Sequence, residues 1–270
     1  MHGIILKSYP EFLRSADLYQ LFIYGFSKQS YLVSNMKKIA MIAIVIGLAV
    51  FLTAIMAMSD SSNQKTAEVI TLQAPHTDGG MSVEKALLER RSARSFTNES
   101  LTLDEISQLC WAAQGVTDDK GHRTSPSAMA TYPLEVYLLA GNVTGLPSGV
   151  YHYSPQGHNL TTISLGNKIP ELFNSSMGGK EDWRKGSPAV FIVTGVFERI
   201  NKIPGQDLSR FVYVEAGTAS ENLLLEVVSL GLGATYTAGF DENKTREYLG
   251  LKSGETPIGV LPVGHKNATV

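Results

Sequence analysis

Three arginines and a serine stand close together in the stretch ERRSARSF, residues 89–96. They are Arg90, Arg91, Ser92 and Arg94. Guanidinium groups offer planar, paired N–H donors and the serine adds a hydroxyl, so this combination suits a phosphate. The alternative is a solvated helix end, where cations offset the negative end of the helix dipole. These residues alone leave both interpretations open.

A second segment that could lie against a flat ligand is RTSPSAMATYP, residues 123–133. Small residues at Pro126, Ser127 and Ala128 leave the backbone open to close approach. An ordinary loop leading into a strand has the same composition. The segment therefore becomes informative only together with its neighbours in the chain.

The third segment is SLGLGATYTAGF, residues 229–240, in which a long apolar helix runs into two glycines. Glycine permits close backbone approach to a ring. A helix end followed by a turn explains the same residues. The pattern is not a dinucleotide-binding fingerprint, because the glycines follow a helix and do not connect a first strand to a helix. The candidate residues here are Gly231, Leu232, Gly233 and Ala234.

The composition restricts the class of function. The net charge is −2, so no general basic field for nucleic acid is present, and the arginines must act locally. The single cysteine, Cys110, excludes a disulfide framework within one chain and lies at an apolar helical position. The histidines show no metal-ligand spacing.

The pattern of elements predicts an α+β domain over residues 81–270. Ser82 is a predicted N-cap, and Thr102 with Glu105 forms a predicted capping box. Residues 149–164 read as a β-hairpin, and the apolar run 188–197 is typical of a buried strand. The order is helix, helix, strand, hairpin, strand, long helix and strand.

Taken in order, these segments make the chain similar to the nitroreductase family of FMN-dependent oxidoreductases. The similarity covers residues 81–266, and the branch it most resembles is the SagB-type dehydrogenases, where a PSAGALYPLE loop and a GVYHY hairpin recur. Here the corresponding stretches are PSAMATYPLE and GVYHY. The resemblance implies a nitroreductase-like fold with a central mixed β-sheet flanked by helices.

The resemblance also implies the cofactor contacts. The FMN phosphate would be held at the first helix end, with a late cation as support, and a second subunit would supply the Pro-Ser-Ala loop. The Gly-Leu-Gly segment would lie at the edge of the isoalloxazine ring. The implied cofactor-binding residues are Arg90, Arg91, Ser92, Arg94, Pro126, Ser127, Ala128, Gly231, Leu232, Gly233, Ala234 and Lys266.

The implied activity is hydride transfer from a reduced donor such as NAD(P)H to a small organic acceptor, in ping-pong fashion, by a homodimer with FMN at its interface. No catalytic side chain is implied, because the flavin carries the chemistry. Two alternatives stay open. One is a SagB-like azoline dehydrogenase in peptide maturation, and the other is a non-catalytic flavin-binding scaffold.

Four residues depart from the pattern or have two interpretations. Met129 stands where the SagB-like loop usually has glycine, which would crowd the flavin face or narrow the choice of substrate. Glu215 belongs either to a recurrent EAG segment of this branch or to a helix start favoured by the dipole. His152 and His158 of the hairpin are predicted to be structural or surface residues.

The N-terminal region contains an uncharged apolar run, Ile39–Met58, preceded by Lys37 and Lys38. About 20 apolar residues suffice for a transmembrane helix, so residues 36–58 are predicted to be an anchor, with a cleaved signal peptide or a buried core helix as alternatives. Residues 1–35 read as an extension upstream of a natural start at Met36. Residues 59–80 are polar and read as a linker.

The expected localisation is the cell membrane, with one pass and the globular domain on the extracytoplasmic side. The lysines before the apolar run favour this orientation. So do N-x-[ST] sequons, which belong on exported surfaces and all follow the run. They begin at Asn98, Asn142, Asn159, Asn174, Asn243 and Asn267.

Overall fold

A computed structural model describes residues 36, 40–53, 68–174, 183–202 and 205–267. The chain divides into two compact units, Met1–Thr66 and Ala67–Val270. The predicted extension, residues 1–35, and the start of the predicted linker, residues 59–67, lie outside the described residues.

The predicted membrane anchor is contradicted, and with it the cell-membrane localisation and the extracytoplasmic placement. Within the described ranges, no helix is long and apolar enough to cross a membrane. The lysine bias and the sequons indicate on which side of a membrane the domain lies only if a helix spans that membrane.

The second unit is built on a seven-stranded antiparallel sheet in the order β1-β6-β5-β3-β7-β9-β8. A separate pair, β2 and β4, is parallel. The strands are β1 (Val69–Thr71), β2 (Leu101–Thr102), β3 (Leu134–Ala140), β4 (Val143–Thr144), β5 (Gly149–Ser154), β6 (Asn159–Leu165), β7 (Ala189–Val196), β8 (Gly233–Ala234) and β9 (Glu255–Gly264).

Two features of the sheet differ from the sequence-based expectations. The prediction of a mixed sheet is wrong, because every pairing in the seven-stranded sheet is antiparallel. The hairpin β5–β6 is confirmed, and its outer strand pairs with β1, which lies within the predicted linker. Such pairings across the chain leave no signature in local periodicity.

Helices cover both faces of the sheet. They are α1 (Val83–Glu89), α2 (Leu103–Gln114), α3 (Ile169–Asn174), α4 (Ser209–Ser229) and α5 (Glu242–Leu249). One hydrophobic core lies between the sheet and α2 and α4, and the second lies under α3 and α5. In β7, Phe191 joins the first core and Ile192 the second, which explains the continuous apolar run.

The helix ends follow the local sequence signals. Ser82 Oγ accepts from the Lys85 backbone N–H, and Thr102 and Glu105 form the predicted capping box. After α4, Gly231 has a φ of 73°, and the Leu232 N–H donates to the Val227 carbonyl at 2.8 Å, which is a Schellman motif. The backbone at this position has a positive, left-handed φ, which glycine adopts without strain.

Cys110 is fully buried on α2, as the sequence predicted. Burial raises the pKa of its thiol, so the thiol stays protonated at neutral pH. The residue packs in the first core as a small apolar side chain.

Candidate functional site

The arginine-rich segment lies along the short edge strand β8. Ser92 pairs with Ala234 in a parallel bridge, and the Ala93 N–H donates to the Ala234 carbonyl at 2.9 Å. The Thr97 N–H donates to the His265 carbonyl at 2.8 Å. Backbone hydrogen bonds therefore hold this segment, which lies between α1 and β2 in the chain. Its side chains remain available to a ligand.

A cleft of about 390 Å³ opens beside this segment, and we call it the edge cleft. It brings together six of the predicted residues from three parts of the chain. They are Arg91, Ser92, Arg94, Leu232, Gly233 and Lys266. The remaining lining residues are Glu89, Ala93, Ser95, Val228 and Asn267.

The cationic side chains of the edge cleft differ in the hydrogen bonds and ion pairs that they make. Arg91 donates from Nη1 to the Leu88 carbonyl at 3.0 Å and to the Arg90 carbonyl at 2.7 Å. With respect to the described residues, the side chains of Arg94 and Lys266 make no hydrogen bond and no ion pair. Two exposed positive groups therefore face a cleft that also contains a serine hydroxyl, which is a set of donors suited to a phosphate.

Gly233 allows the three parts of the cleft to meet. A Cβ at this position would lie 2.7 Å from the Ala93 Cβ and 3.1 Å from the Lys266 Cβ. The sequence indicated a close backbone approach at this glycine. In the structure that approach is made to the two neighbouring segments of the same cleft.

Two predicted residues lie next to the edge cleft without lining it. Arg90 is directed toward α4, where its Nε lies 3.7 Å from Glu221 Oε1. Gly231 forms the helix end that precedes β8. A further predicted residue, Ala234, is buried and contributes its carbonyl to the Ala93 N–H.

The predicted Pro126, Ser127 and Ala128 lie in a different place, which we call the anchored loop, residues 126–132. The Ala128 N–H donates to Glu215 Oε1 of α4 at 2.7 Å. From Glu215 to the cleft residue Val228, α4 rises about 20 Å at about 1.5 Å per residue. One chain therefore holds the predicted residues as two separate groups.

The anchored loop has a strained backbone. Met129, Ala130 and Tyr132 have φ values of 53°, 50° and 43°. A left-handed conformation costs a residue with a Cβ about 1–2 kcal/mol, so the surroundings must hold the loop in place. Met129 is also 61% exposed, which is unusual for a large apolar side chain in such a turn.

Glu215 is a functional candidate that the sequence left undecided. It lies beyond the first turn of α4, so the helix-dipole explanation does not apply. Burial raises the pKa of its carboxyl, and hydrogen bonds from the Ala128 N–H and the Ser127 hydroxyl partly oppose this shift. The carboxyl group is placed to hold the anchored loop.

A second polar cluster, which the sequence did not predict, lies at the other end of the same loop. The Glu135 carboxylate accepts from Arg199 Nη2 and from His152 Nε2, the latter at 2.7 Å. Burial opposes ionisation of Glu135, but His152 and Arg199 outweigh it and lower its pKa. The available signal was a single acid within an otherwise apolar strand, β3.

His158 is structural, as predicted, and it fastens the segment before α1 to the hairpin. Its Nε2 lies 2.8 Å from the Gln73 carbonyl and from Ser107 Oγ, while its Nδ1 lies 2.9 Å from the Tyr153 hydroxyl. Burial lowers the pKa of this imidazole.

Comparison with known proteins identifies the family of this chain. The model of the nitroreductase family matches residues 87–265, a range that includes the anchored loop and the lining of the edge cleft except Lys266 and Asn267. The chain belongs to the nitroreductase family. A protein of Methanocaldococcus jannaschii that is named as a nitroreductase is 36% identical over 199 residues, which are 74% of this chain and 98% of that protein.

Solved structures agree with this family. A nitroreductase-like protein of Ralstonia eutropha superposes with a TM-score of 0.64 at 30% identity, over 76% of this chain and 92% of that chain. A chain of the E. coli microcin synthetase complex shares the fold at 23% identity, with a TM-score of 0.58, over 76% of this chain and 80% of that chain. This nitroreductase-family chain is thus an oxidoreductase, and its family typically uses FMN.

Proposed function

We propose that this chain is an FMN-dependent oxidoreductase that holds the phosphate of FMN in the edge cleft. The observation that carries the proposal is the pair of cations, Arg94 and Lys266, which lie beside the Ser92 hydroxyl and have no partner among the described residues. The one acid in the lining, Glu89, has its own cation, since Lys85 Nζ lies 3.9 Å from it. The cleft therefore offers a phosphate positive charge and hydrogen-bond donors with little competition.

The residues present fit the cofactor in charge and in shape. Arg91, Ser92, Arg94 and Lys266 would bind the phosphate, and the backbone of residues 231–234 would border the ring. Arg90 would join them by leaving Glu221, and a pair between such exposed groups is weak enough to be exchanged.

The second half of the site would come from another copy of the chain. The anchored loop lies far along α4 from the edge cleft, so the loop of a partner copy would complete the cleft of the first. Exposed apolar side chains support a dimer surface on the two helices concerned. These are Leu87 and Leu88 of α1 and Tyr213 and Val214 of α4. Proteins of this fold are typically homodimers.

The reaction we propose is hydride transfer from NAD(P)H to a small organic acceptor, in two half-reactions. When bound, FMN supplies the redox chemistry, and the protein supplies position and electrostatics. The chain's own contribution is to hold the phosphate at the edge cleft and to present the loop backbone, including Pro126 and Ser127, to the reacting face.

The test is the absorbance of the purified protein after incubation with FMN and removal of free flavin. Retained yellow colour that bleaches with NADH or NADPH, and returns with a quinone or a nitroaromatic compound, is the expected result. A dimer that takes up no FMN would contradict the proposal. Retained FMN that no nicotinamide donor bleaches would refute the donor alone.

A further inference from the structure

The anchored loop is fastened at its first residues by one carboxylate. Besides the Ala128 N–H, the Ser127 hydroxyl interacts with Glu215, and Ser127 Oγ also accepts from the Tyr132 N–H at 2.8 Å. The Ala130 N–H donates to the Ser127 carbonyl at 3.1 Å. The two Ser127 backbone contacts close the turn locally, and the bond to Glu215 fastens it to α4 and not to the sheet.

The end of the loop is held by two guanidinium groups that converge on Tyr132. Arg199 Nη1 donates to the Tyr132 carbonyl at 2.9 Å. Arg123 lies over the Tyr132 ring, with its Cζ 4.4 Å from the ring centroid, and its Nη1 donates to Gln114 Oε1 at 2.8 Å. Tyr132 is itself one of the left-handed residues, so these contacts act directly on the strained backbone.

Of the two guanidinium groups, that of Arg199 is bound directly by Glu135. Its carboxylate binds Arg199 and His152 through different oxygens, and its charge also acts on Arg123. The Glu135 side chain is only 15% exposed, so water does not readily replace these partners. Glu135 lies in the central strand β3, so its contacts fix the position of the loop relative to the rigid sheet.

We propose that Glu135, acting through Arg199, is a positioning residue that holds the anchored loop in its strained conformation. The inference rests on the proposed function in one respect, namely that this loop borders the bound cofactor. The contacts of the Glu135 carboxylate are to Arg199 and His152. It sets where Tyr132, and through it the Pro-Ser-Ala turn, lies relative to the sheet.

The first test uses the protein without FMN and therefore does not depend on the proposed function. Hydrogen exchange is followed by mass spectrometry on a peptide covering residues 126–132 in Glu135→Gln and Arg199→Lys. Glutamine keeps the shape of the Glu135 side chain but removes its charge. Lysine lacks the forked guanidinium with which Arg199 reaches both Glu135 and the Tyr132 carbonyl. Exchange of the loop amides should accelerate by about tenfold, with β7 unchanged, since a charge-assisted hydrogen bond is weakened.

The matched control is Arg246→Lys. Arg246 is also half-buried and also donates to backbone carbonyls, those of Glu255 and Lys252, neither of which belongs to the loop. This variant should exchange like the wild type over residues 126–132. Unchanged loop exchange in folded Glu135→Gln and Arg199→Lys would overturn the inference. Should Glu135→Gln not fold, Arg199→Lys alone decides.

The second test asks whether the loop position reaches the cofactor. With FMN bound, Arg199→Lys should raise the KM for the acceptor several-fold, roughly the effect of one weakened hydrogen bond, and Arg246→Lys should not. Faster loop exchange with an unchanged KM would keep the positioning role and refute the placement of the loop at the cofactor. A wild-type protein that binds no FMN would refute the proposed function without touching the exchange result.

Discussion

Arg94→Ala tests the assignment of the edge cleft most directly. Arg94 lies within a segment whose backbone is fixed to β8 through its neighbours Ser92 and Ala93. Its side chain is exposed and has no partner among the described residues, so its removal breaks no contact there. The variant should therefore fold as the wild type does, and any effect should appear in cofactor binding.

The size of the effect follows from one charged hydrogen bond to a phosphate oxygen. Such a bond contributes about 1.5–3 kcal/mol, which corresponds to a roughly 10- to 150-fold change in Kd. The edge cleft is open to solvent, so screening favours the lower end of this range. We expect the Kd for FMN to rise about tenfold in Arg94→Ala at moderate salt.

The assay is a titration that follows quenching of FMN fluorescence, with circular dichroism and gel filtration to confirm fold and assembly. Lys244→Gln serves as the control, because Lys244 is an exposed cation of α5 that does not line the cleft. It removes the same charge from an exposed position. An unchanged Kd in a folded Arg94→Ala protein, or an equal loss in Lys244→Gln, would refute the phosphate assignment.

Three further predictions concern stability and reactivity. Gly233→Ala should destabilise the fold by about 1–3 kcal/mol in urea unfolding, because its Cβ would overlap Ala93, whereas Gly166→Ala meets no neighbour and tests only the left-handed backbone. Glu215 has a raised folded-state pKa, so the native state binds its proton more tightly than the unfolded chain does. The stability of the wild type relative to Glu215→Gln should therefore increase as the pH falls from neutral toward 4.5, and a constant difference would refute this. Cys110 should resist a thiol reagent until the protein unfolds, since it is buried and its pKa is raised, and rapid reaction of the native protein would contradict its core position.

The elements that the sequence predicted well are those specified by near neighbours. The caps at Ser82 and Thr102 depend on bonds that span three residues. The β5–β6 hairpin depends on a short turn between alternating strands. Each of these signals lies within a short stretch of sequence, and the tertiary structure agrees with the local preference.

The errors arose where a local pattern had more than one physical outcome. An uncharged apolar run is compatible with a membrane span or with an apolar helix that does not span, and no helix of the described residues is long and apolar enough to cross a membrane. Strand direction in the sheet was also misjudged. Whether β7 runs antiparallel to β3 depends on the path of the chain between them, which hydrophobic periodicity does not record.

By itself, the sequence determined the order of elements, the helix ends and a segment rich in anion-binding side chains. Only the tertiary structure decided which of those side chains share a site. It gathered Arg94, Gly233 and Lys266 into one cleft, and it bonded the Ala128 N–H to Glu215 on a distant part of α4. It also joined Glu135 to Arg199, which are distant in the chain. The reason is that charge and hydrogen bonding act over a few ångströms in space, whereas the sequence specifies only separation along the chain.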